Sequence, residues 1–268
     1  MWLSANYAFA FTAVLGAFGF FGKERWRRTS SAAREAAIVF VLYALWRLFD
    51  VVTLRMNGAQ RRGLQIWHVE RAIGIGSERW LQQRIIDHSL LSQAANGYYA
   101  ILHVPAMIIC LLWLYFRHRD SYAHWRSVLA LSTGADVLIR LVPVAPPRLL
   151  PDLGFVDIAI KYHQSVYGRF GGGVSDQLAA MPSIHAGWAI LVAASTWRCT
   201  QSRWRWVAIA HATLTMLSVV VTANHWWLDC IVAGAMLVPI SLIWTRAIQL
   251  YSGQRSTDWT SDLSEIQL

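Results

Sequence analysis

The chain has 268 residues, of which 56% are hydrophobic and only 15% are charged, and it contains 15 tryptophans. Soluble domains carry about 25% charged residues, so this composition excludes a soluble fold with a water-facing surface. The net charge of +9 does not indicate a nucleic-acid partner. The basic residues lie mainly in short loops between apolar segments, where they orient a membrane protein.

Seven apolar segments approach or reach the roughly 17–25 residues that cross a bilayer. In chain order they are residues 5–22, 36–54, 97–116, 127–144, 183–197, 206–223 and 226–248. The fifth segment is short, and the fourth contains Asp136 and Arg140, a potential neutralising pair. The sequence therefore predicts an all-α, polytopic membrane helical bundle with about six core transmembrane helices plus one extra N-terminal helix.

The distribution of basic residues predicts the orientation of the chain. The loop "GKERWRRTSSAAR" after the first segment has five basic residues, so the positive-inside rule places it in the cytoplasm. Alternation then places residues 117–126 and 198–205, which are also basic, on the same side. Residues 143–182 and 222–227 fall on the extracytoplasmic side. Residues 55–95 also fall outside despite six arginines, because long loops translocate largely regardless of charge.

Four units follow from this organisation. Residues 1–54 are predicted to form N-terminal transmembrane helices, and residues 96–250 the transmembrane core. Between them, the alternating polar and apolar residues of 55–95 predict one or two amphipathic helices in the membrane interface. An additional membrane span is the alternative for that region. Residues 251–268 are polar and short of apolar side chains, which predicts a disordered tail.

Three polar clusters converge on the predicted extracytoplasmic face. They are "VAPPRLLPD" (144–152), "PSIH" (182–185) and "NHWWLD" (224–229). In the second cluster, Ser183 follows Pro182 and is a natural helix N-cap. The free N–H groups and dipole of such a helix start favour an anion such as phosphate. His185 would then sit in the first turn, positioned to donate a proton.

The third cluster contains a histidine–carboxylate pair. His225 and Asp229 are four residues apart and share one face of a helix. A carboxylate bonded to one imidazole nitrogen fixes the tautomer and leaves the other nitrogen available as a base or nucleophile. Arg148, in the first cluster, offers a planar donor fork that suits phosphate oxygens. Each residue alone has a simpler explanation, as an interfacial, packing or lipid-contacting side chain. Together, on one face, they indicate an active site.

At these residues the chain resembles the type 2 phosphatidic acid phosphatase superfamily of lipid phosphatases and phosphotransferases. Pro182, Ser183 and His185 match its Pro-Ser-x-His signature, and His225 and Asp229 match its His-x-x-x-Asp signature. The resemblance implies that His225 attacks phosphorus to form a phosphohistidine. It also implies that Asp229 orients His225 and that His185 protonates the leaving group.

The chain departs from the superfamily at three positions. Leu141 and Leu149 stand where the first signature has lysine and proline, and Val219 stands where the last signature has arginine. Two phosphate-binding cations are therefore missing from their usual places. The candidates to replace them are Arg140, beside the first signature, and Lys161, His163 and Arg169 in the outer loop.

The pattern "APPR", "AAMPSIHAGWA" and "TANHWWLD" is most similar to the branch that contains the inositol phosphorylceramide synthases. This resemblance implies an integral membrane phosphotransferase or phosphatase, in the cell membrane if the source is bacterial, with its site on the extracytoplasmic side. The substrate would be a lipid phosphate or phosphodiester, and the acceptor a hydroxyl group or water. No carboxylate cluster suits magnesium, so an enzyme without metal or cofactor is predicted.

Two other functions stay open at this point. The first is a lipid phosphate phosphatase that hydrolyses phosphatidic acid or a polyprenyl (di)phosphate. The second belongs to another class, a non-catalytic membrane scaffold or a transporter. The absent lysine and arginine leave the scaffold open. A transporter is disfavoured because the sequence has no internal repeat and no matching pair of broken helices.

Overall fold

The computed structural model describes residues 10–17, 33–38, 40–41, 44, 58–164 and 177–265. Within these ranges the chain is helical and contains no strand, apart from an isolated bridge between Val144 and Ala179. The predicted all-α class is therefore confirmed for the described part. The candidate cation Arg169 lies outside the described residues.

Among the described residues from 59 onward, nine α-helices follow one another. They are α1 (Ala59–Ala72), α2 (Glu78–Ile85), α3 (Ser89–Ile101), α4 (His103–Arg117), α5 (Arg119–Ile139), α6 (Ile158–Lys161), α7 (Ile184–Cys199), α8 (Trp204–Val221) and α9 (Trp227–Glu265). Two short 3₁₀ helices, Pro147–Leu149 and Pro151–Leu153, lie between α5 and α6. Residues 10–17 and 33–38, within or beside the predicted first two spans, are helical as well.

Two of the described helices are long and apolar enough to cross a membrane. They are α8 and the first part of α9, Trp227–Leu250, which match the predicted spans 206–223 and 226–248. A third candidate is the pair α3 and α4, which is bent by 45° and covers the predicted span 97–116. Helices α5 and α7 overlap the predicted fourth and fifth spans, but neither is both long enough and apolar enough to be a candidate span. The structure thus supports a membrane protein with two or three candidate spans among the described residues, and the larger count stays a prediction.

The bundle is centred on α7, which packs against α4, α5, α8 and α9. Its core cluster of buried side chains consists of Met107, Cys110, Leu114, Val128, Leu191, Val192, Ala208 and Leu237. Because these residues come from five helices, α7 and its neighbours form one packed unit. This unit fixes where α7 and α9 begin, which is where the second and third polar clusters lie.

Two short helices, α1 and α2, occupy the region predicted to be interfacial. Helix α1 packs closely against the first polar cluster, since a Cβ on Gly63 would lie 2.7 Å from the carbonyl oxygen of Ala145. Glycine is the residue that permits this approach. In α2, Gln82 exchanges two hydrogen bonds with the backbone of Val156, at 2.8 and 2.9 Å. The region predicted to be interfacial is therefore bound to the loop between α5 and α6.

The last helix differs from the sequence prediction at its far end. Helix α9 continues through Glu265, into the segment for which the sequence predicts a disordered polar tail. No proline follows Pro239, so the sequence has no strong helix breaker there. The boundaries of the four predicted units are not decided by this helix and stay predictions.

Candidate active site

Backbone hydrogen bonds join the first and second polar clusters. The Val144 N–H donates to Leu178 at 2.7 Å, and the Ala180 N–H donates back to Val144 at 3.1 Å. These bonds form the parallel bridge between Val144 and Ala179. The loop after α5 therefore lies beside the segment that leads into α7. This contact spans more than thirty residues of sequence and fixes the position of the Ala180 carbonyl.

Ser183 is the N-cap of α7, as predicted from the Pro-Ser pair. Its hydroxyl accepts a hydrogen bond from the Ala186 N–H at 3.3 Å, and its backbone is extended as an N-cap requires. The Ser183 N–H in turn donates to the carbonyl of Asp229 at 3.3 Å. Since Ser183 is completely buried, the starts of α7 and α9 are held against each other without intervening solvent.

His185 lies in the first turn of α7, among aromatic rings. Its ring centroid is 4.5 Å from Tyr99, 4.2 Å from His103 and 5.5 Å from His225. Within the described ranges, the buried Nδ1 of His185 has no hydrogen-bond partner. The imidazole is thus held by ring packing rather than by hydrogen bonds. This arrangement brings the two predicted catalytic histidines side by side and keeps a nitrogen of His185 uncommitted.

His225 is held by two hydrogen-bond acceptors at the same nitrogen. Its Nδ1 lies 2.7 Å from the carbonyl oxygen of Ala180 and 3.3 Å from Oδ2 of Asp229. Because a carbonyl and a carboxylate both accept, Nδ1 must carry the proton and donate. The lone pair of the neutral ring is then on Nε2, which is the tautomer that a nucleophile or base needs. The nearer partner is the backbone carbonyl rather than the predicted carboxylate.

Asp229 connects the imidazole to the start of α9. It is completely buried, and its Oδ2 also accepts a hydrogen bond from the Trp226 N–H at 2.8 Å. A carboxylate in the first turn that bonds back to the residue before the helix forms one half of a capping box. It also lies at the positive end of the helix dipole. Asp229 therefore both fixes the helix start and faces the His225 ring.

Arg148 is buried and tied to the loop that carries His225. Its backbone N–H donates to Ala223 at 2.9 Å, and its Nε donates to Oδ1 of Asn224 at 2.9 Å. Its Nη1 lies 3.2 Å from Oδ2 of Asp157. Arg148 as a whole residue is only 5% exposed. Its guanidinium is therefore held by hydrogen bonds beside residues 223–225. The first and third polar clusters are thereby joined.

Two of the four candidate replacement cations, Arg140 and Lys161, have contacts of their own. Arg140 is the C-cap residue of α5, and its N–H donates to the Asp136 carbonyl at 3.0 Å. Lys161 ends α6, and its ammonium donates to the carbonyl of Ile86 at 3.0 Å and lies over the ring of Tyr162. Lys161 thus contacts the end of α2. The contacts described for these two residues do not include His185 or His225.

The position of the missing signature arginine has a different role here. Val219 is completely buried and packs with Tyr99, Ala186 and Cys230. Its carbonyl accepts the N–H groups of Asn224 at 3.0 Å and of His225 at 3.1 Å. Residue 219 is therefore part of the core under the site, and its backbone shapes the turn that presents His225.

Several residues that hold the site were not found from the sequence. The Ala180 carbonyl contacts His225, and the side chain of Asn224 contacts Arg148; neither residue has a role predicted from the sequence. Glu70 and Glu78, from α1 and α2, contact the start of α9. Carboxylates in an amphipathic region are expected to be exposed to solvent. Only their complete burial separates them from surface residues.

In the described part of the chain, no group of three or more His, Cys, Asp or Glu side chains is arranged to hold a metal ion. The predicted metal independence remains a matter for experiment. The described groups can contribute to catalysis in two ways. The lone pair of His225 can attack an electrophile, and a neighbouring imidazole and helix start can handle a proton and an anion.

Comparison with known families agrees with this arrangement. Residues 64–244 match a family model described as the PAP2 superfamily. This match covers more than half of the chain, so the protein belongs to the PAP2 superfamily, the type 2 phosphatidic acid phosphatases and their relatives. Membership supports a phosphatase-type enzyme acting on lipid phosphate, with water or another acceptor. No curated protein and no solved structure matches the chain.

Proposed function

We propose that the protein is an integral membrane phosphotransferase that acts on lipid-linked phosphate through a phosphohistidine at His225. The observation that carries the proposal is the hydrogen bonding of His225. Its Nδ1 is committed to Ala180 and Asp229, at 2.7 and 3.3 Å, which leaves Nε2 as the nucleophile. Its neighbour His185, at 5.5 Å between ring centroids, is the acid–base partner.

The reaction has two steps. In the first, Nε2 of His225 attacks phosphorus, a P–N bond forms, and the bond from phosphorus to the leaving oxygen breaks. His185 supplies a proton to that oxygen. In the second, an acceptor hydroxyl attacks phosphorus and loses its proton to His185, and the P–N bond breaks. The positive charge on the phosphorylated ring is stabilised by Asp229 and by the Ala180 carbonyl.

Phosphate oxygens are stabilised by fixed donors. The start of α7 contributes its helix dipole, with Ser183 as the N-cap. Arg148, held at the loop of His225 by Asn224, is the proposed guanidinium donor. Arg140 and Lys161 remain proposed as further cations, since both lie on or beside the loops that form this end of the bundle.

A lipid substrate is supported by the surroundings of Trp227. An apolar cavity of about 340 Å³ lies between α2 and the start of α9, and is lined by Ile75, Gly76, Ser77, Trp80, Leu81, Trp227 and Ile231. Trp227 is two residues from His225. An acyl or prenyl chain in this cavity would leave its head group near the histidines. We place the site at the extracytoplasmic membrane face, because the positive-inside rule puts the three clusters there.

The resemblance of "APPR", "AAMPSIHAGWA" and "TANHWWLD" to inositol phosphorylceramide synthases favours transfer of a substituted phosphate, as in an inositolphosphotransferase. The acceptor decides the product. A hydroxyl acceptor makes the protein a transferase, and water makes it a phosphatase. The same site and the same phosphohistidine serve both.

The test uses the purified full-length protein in detergent with a mixed panel of lipid phosphates and phosphodiesters, with EDTA present. Phosphate release and new lipid products are followed for wild type and His225→Ala. We expect turnover that survives EDTA and is lost in the variant, by roughly 10⁶-fold or to background, the scale of a removed nucleophile. Equal turnover in both proteins would rule out His225. New lipid products indicate a transferase, and free phosphate a phosphatase.

A further inference from the structure

Two buried glutamates from the interfacial helices meet the start of α9. Oε1 of Glu70, in α1, accepts a hydrogen bond from the Leu228 N–H at 2.7 Å. Oε1 of Glu78, in α2, lies 3.5 Å from the Trp227 nitrogen. Both glutamates are completely buried. A buried glutamate requires a specific partner, and here the partner of each is a backbone amide of the helix that carries Asp229.

Three consecutive amides at this helix start therefore face three different carboxylates. The Trp226 N–H bonds to Asp229, and the next two amides face Glu78 and Glu70. The first N–H groups of a helix have no partner within the helix, and negative charge is favoured there. Asp229 supplies one acceptor from the helix itself. The other two come from a region more than 140 residues earlier in the chain.

The two glutamates differ in how their second oxygens are used. Oε2 of Glu78 is bound by Arg71 at 3.0 Å. Oε2 of Glu70 is buried without a donor from the described residues. Burial, with Glu78 and Asp229 as neighbouring carboxylates, raises the pKa of Glu70 to about 9. Glu70 thus holds a proton at neutral pH, which it can donate to Glu78 while its Oε1 still accepts from Leu228.

We propose that Glu70 and Glu78 are positioning residues for His225, because their carboxyl groups together fix the first turn of α9 through the Trp227 and Leu228 amides. Fixing Trp227 and Leu228 fixes Asp229, one residue further on, and Asp229 faces the Nδ1 of His225. The interfacial helices are thereby part of the active-site framework, although they contribute no atom to the reaction. This inference rests on the proposed function for its effect on turnover, but not for its effect on His225.

A simple structural contact would behave differently, and Gln82 provides the matched control. Gln82 is also buried in α2 and also bonds to backbone, at Val156. It does not contact the start of α9 in the described hydrogen bonds. Gln82→Ala should lower thermal stability without affecting His225. Glu70→Ala should affect both, while Glu70→Gln, which keeps an acceptor and supplies a donor in place of the proton, should affect neither.

The experiment uses the full-length protein in micelles with ¹⁵N-labelled histidine. Of the nine histidines, the Nδ1–H resonance of His225 is assigned by its absence in His225→Gln. We expect this resonance to shift or disappear in Glu70→Ala and Glu78→Ala, and to stay in place in Glu70→Gln and Gln82→Ala. On a substrate found with the lipid panel, Glu70→Ala should lower kcat more than it raises KM.

Two outcomes would overturn the proposal. One is a wild-type resonance in Glu70→Ala, and the other is a change in Gln82→Ala as large as that in Glu70→Ala. If the alanine variants do not fold, Glu70→Gln and Glu78→Gln decide. Glu78→Gln should shift the resonance, because Arg71 loses its carboxylate partner, whereas Glu70→Gln should not. The same resonance in both variants would contradict the proposal. A resonance that responds as expected in a protein without turnover would support the positioning and count against the proposed function.

Discussion

Two regions of the bundle are stabilised in different ways: the loop end, which contains the three polar clusters, and the helical centre, which is the core cluster around α7. At the loop end, buried polar side chains lie beside an apolar cluster that includes Phe155 and Trp226, and hydrogen bonds such as Arg148 to Asn224 and His225 to Ala180 join distant segments. In the centre, side chains such as Leu114 and Leu191 pack without such bonds. Buried polar groups must find partners in one geometry, whereas apolar groups require only that space be filled. The loop end can therefore fix the positions of polar groups, whereas the helical centre stabilises the fold that carries them.

The comparison predicts that changes at the loop end impair activity more than stability. Asp229→Asn is expected to have the largest effect after removal of His225. The amide keeps an acceptor for the Trp226 N–H but removes the charge beside the imidazole. Because Ala180 still holds Nδ1 at 2.7 Å, the loss in kcat should be smaller than the roughly 10⁴-fold that follows when a lone orienting aspartate is replaced. Steady-state kinetics on the identified lipid substrate would measure it.

A loss as large as that of His225→Ala would contradict this reasoning, because it would mean that the Ala180 carbonyl contributes nothing to the tautomer. The control is thermal unfolding of the same protein, which should show a small change. Asn is nearly the same size as Asp and is placed among the same groups.

Arg148→Ala is expected to have the next largest effect. If the guanidinium stabilises phosphate oxygens, its removal should cost roughly 10²–10³-fold in kcat/KM, the scale of losing one fixed donor at a developing anion. Arg148→Lys should recover little of this, because an ammonium cannot bond to Asn224 and Asp157 in the same planar geometry. Arg61→Ala, at an exposed arginine of α1, is the matched control and should keep full activity. Full recovery by lysine would exclude the fork.

The helical centre should respond in the opposite way. Leu114→Ala removes a completely buried side chain of α4 and should destabilise the fold by about 2–5 kcal/mol, mainly through the cavity it leaves. The kcat of the folded fraction should stay within about twofold of wild type, since polar contacts of the site are untouched. Leu112→Ala, at a side chain of the same helix that is 52% exposed, is the control. A fall in kcat without loss of stability would contradict the predicted difference between the two regions.

The last expected effect is a pH dependence of stability rather than of activity. The pKa of Glu70 rises from 4.5 to about 9 on folding. Its contribution is fully present below about pH 4.5, and is lost as pH rises through about 9, because the folded protein retains a proton that the unfolded chain releases. Glu70→Gln is neutral throughout and should remove this part of the decline. Melting temperatures across that range would measure it, with Gln82→Ala expected to keep the wild-type slope.

Part of this architecture is readable from the sequence because it is local. The N-cap role of Ser183 follows from a Pro-Ser pair before an apolar run. The sequence also predicts that His225 and Asp229 share one face of a helix, but His225 lies in the turn before α9, and the pair is formed across the helix start. The spans 206–223 and 226–248 follow from length and hydropathy, and the structure places helices there. Each of these depends on residues within one turn or one segment of the chain.

The rest depends on which distant backbone groups meet. The Ala180 carbonyl reaches His225 only because the Val144 bridge holds it there. The burial of Glu70 and Glu78 depends on how α1 and α2 pack against α9, and an amphipathic pattern does not specify that packing. Sequence reasoning therefore finds the side chains proposed for the chemistry more readily than the backbone groups that place them.

The most direct test of the central claim is capture of the covalent intermediate. Full-length protein would be mixed with lipid phosphates and phosphodiesters labelled at phosphorus, quenched in alkali and digested for mass spectrometry. The account predicts an acid-labile phosphoryl or substituted phosphoryl group on His225, absent in His225→Ala. A label on any other residue, or undiminished turnover in His225→Ala, would contradict it.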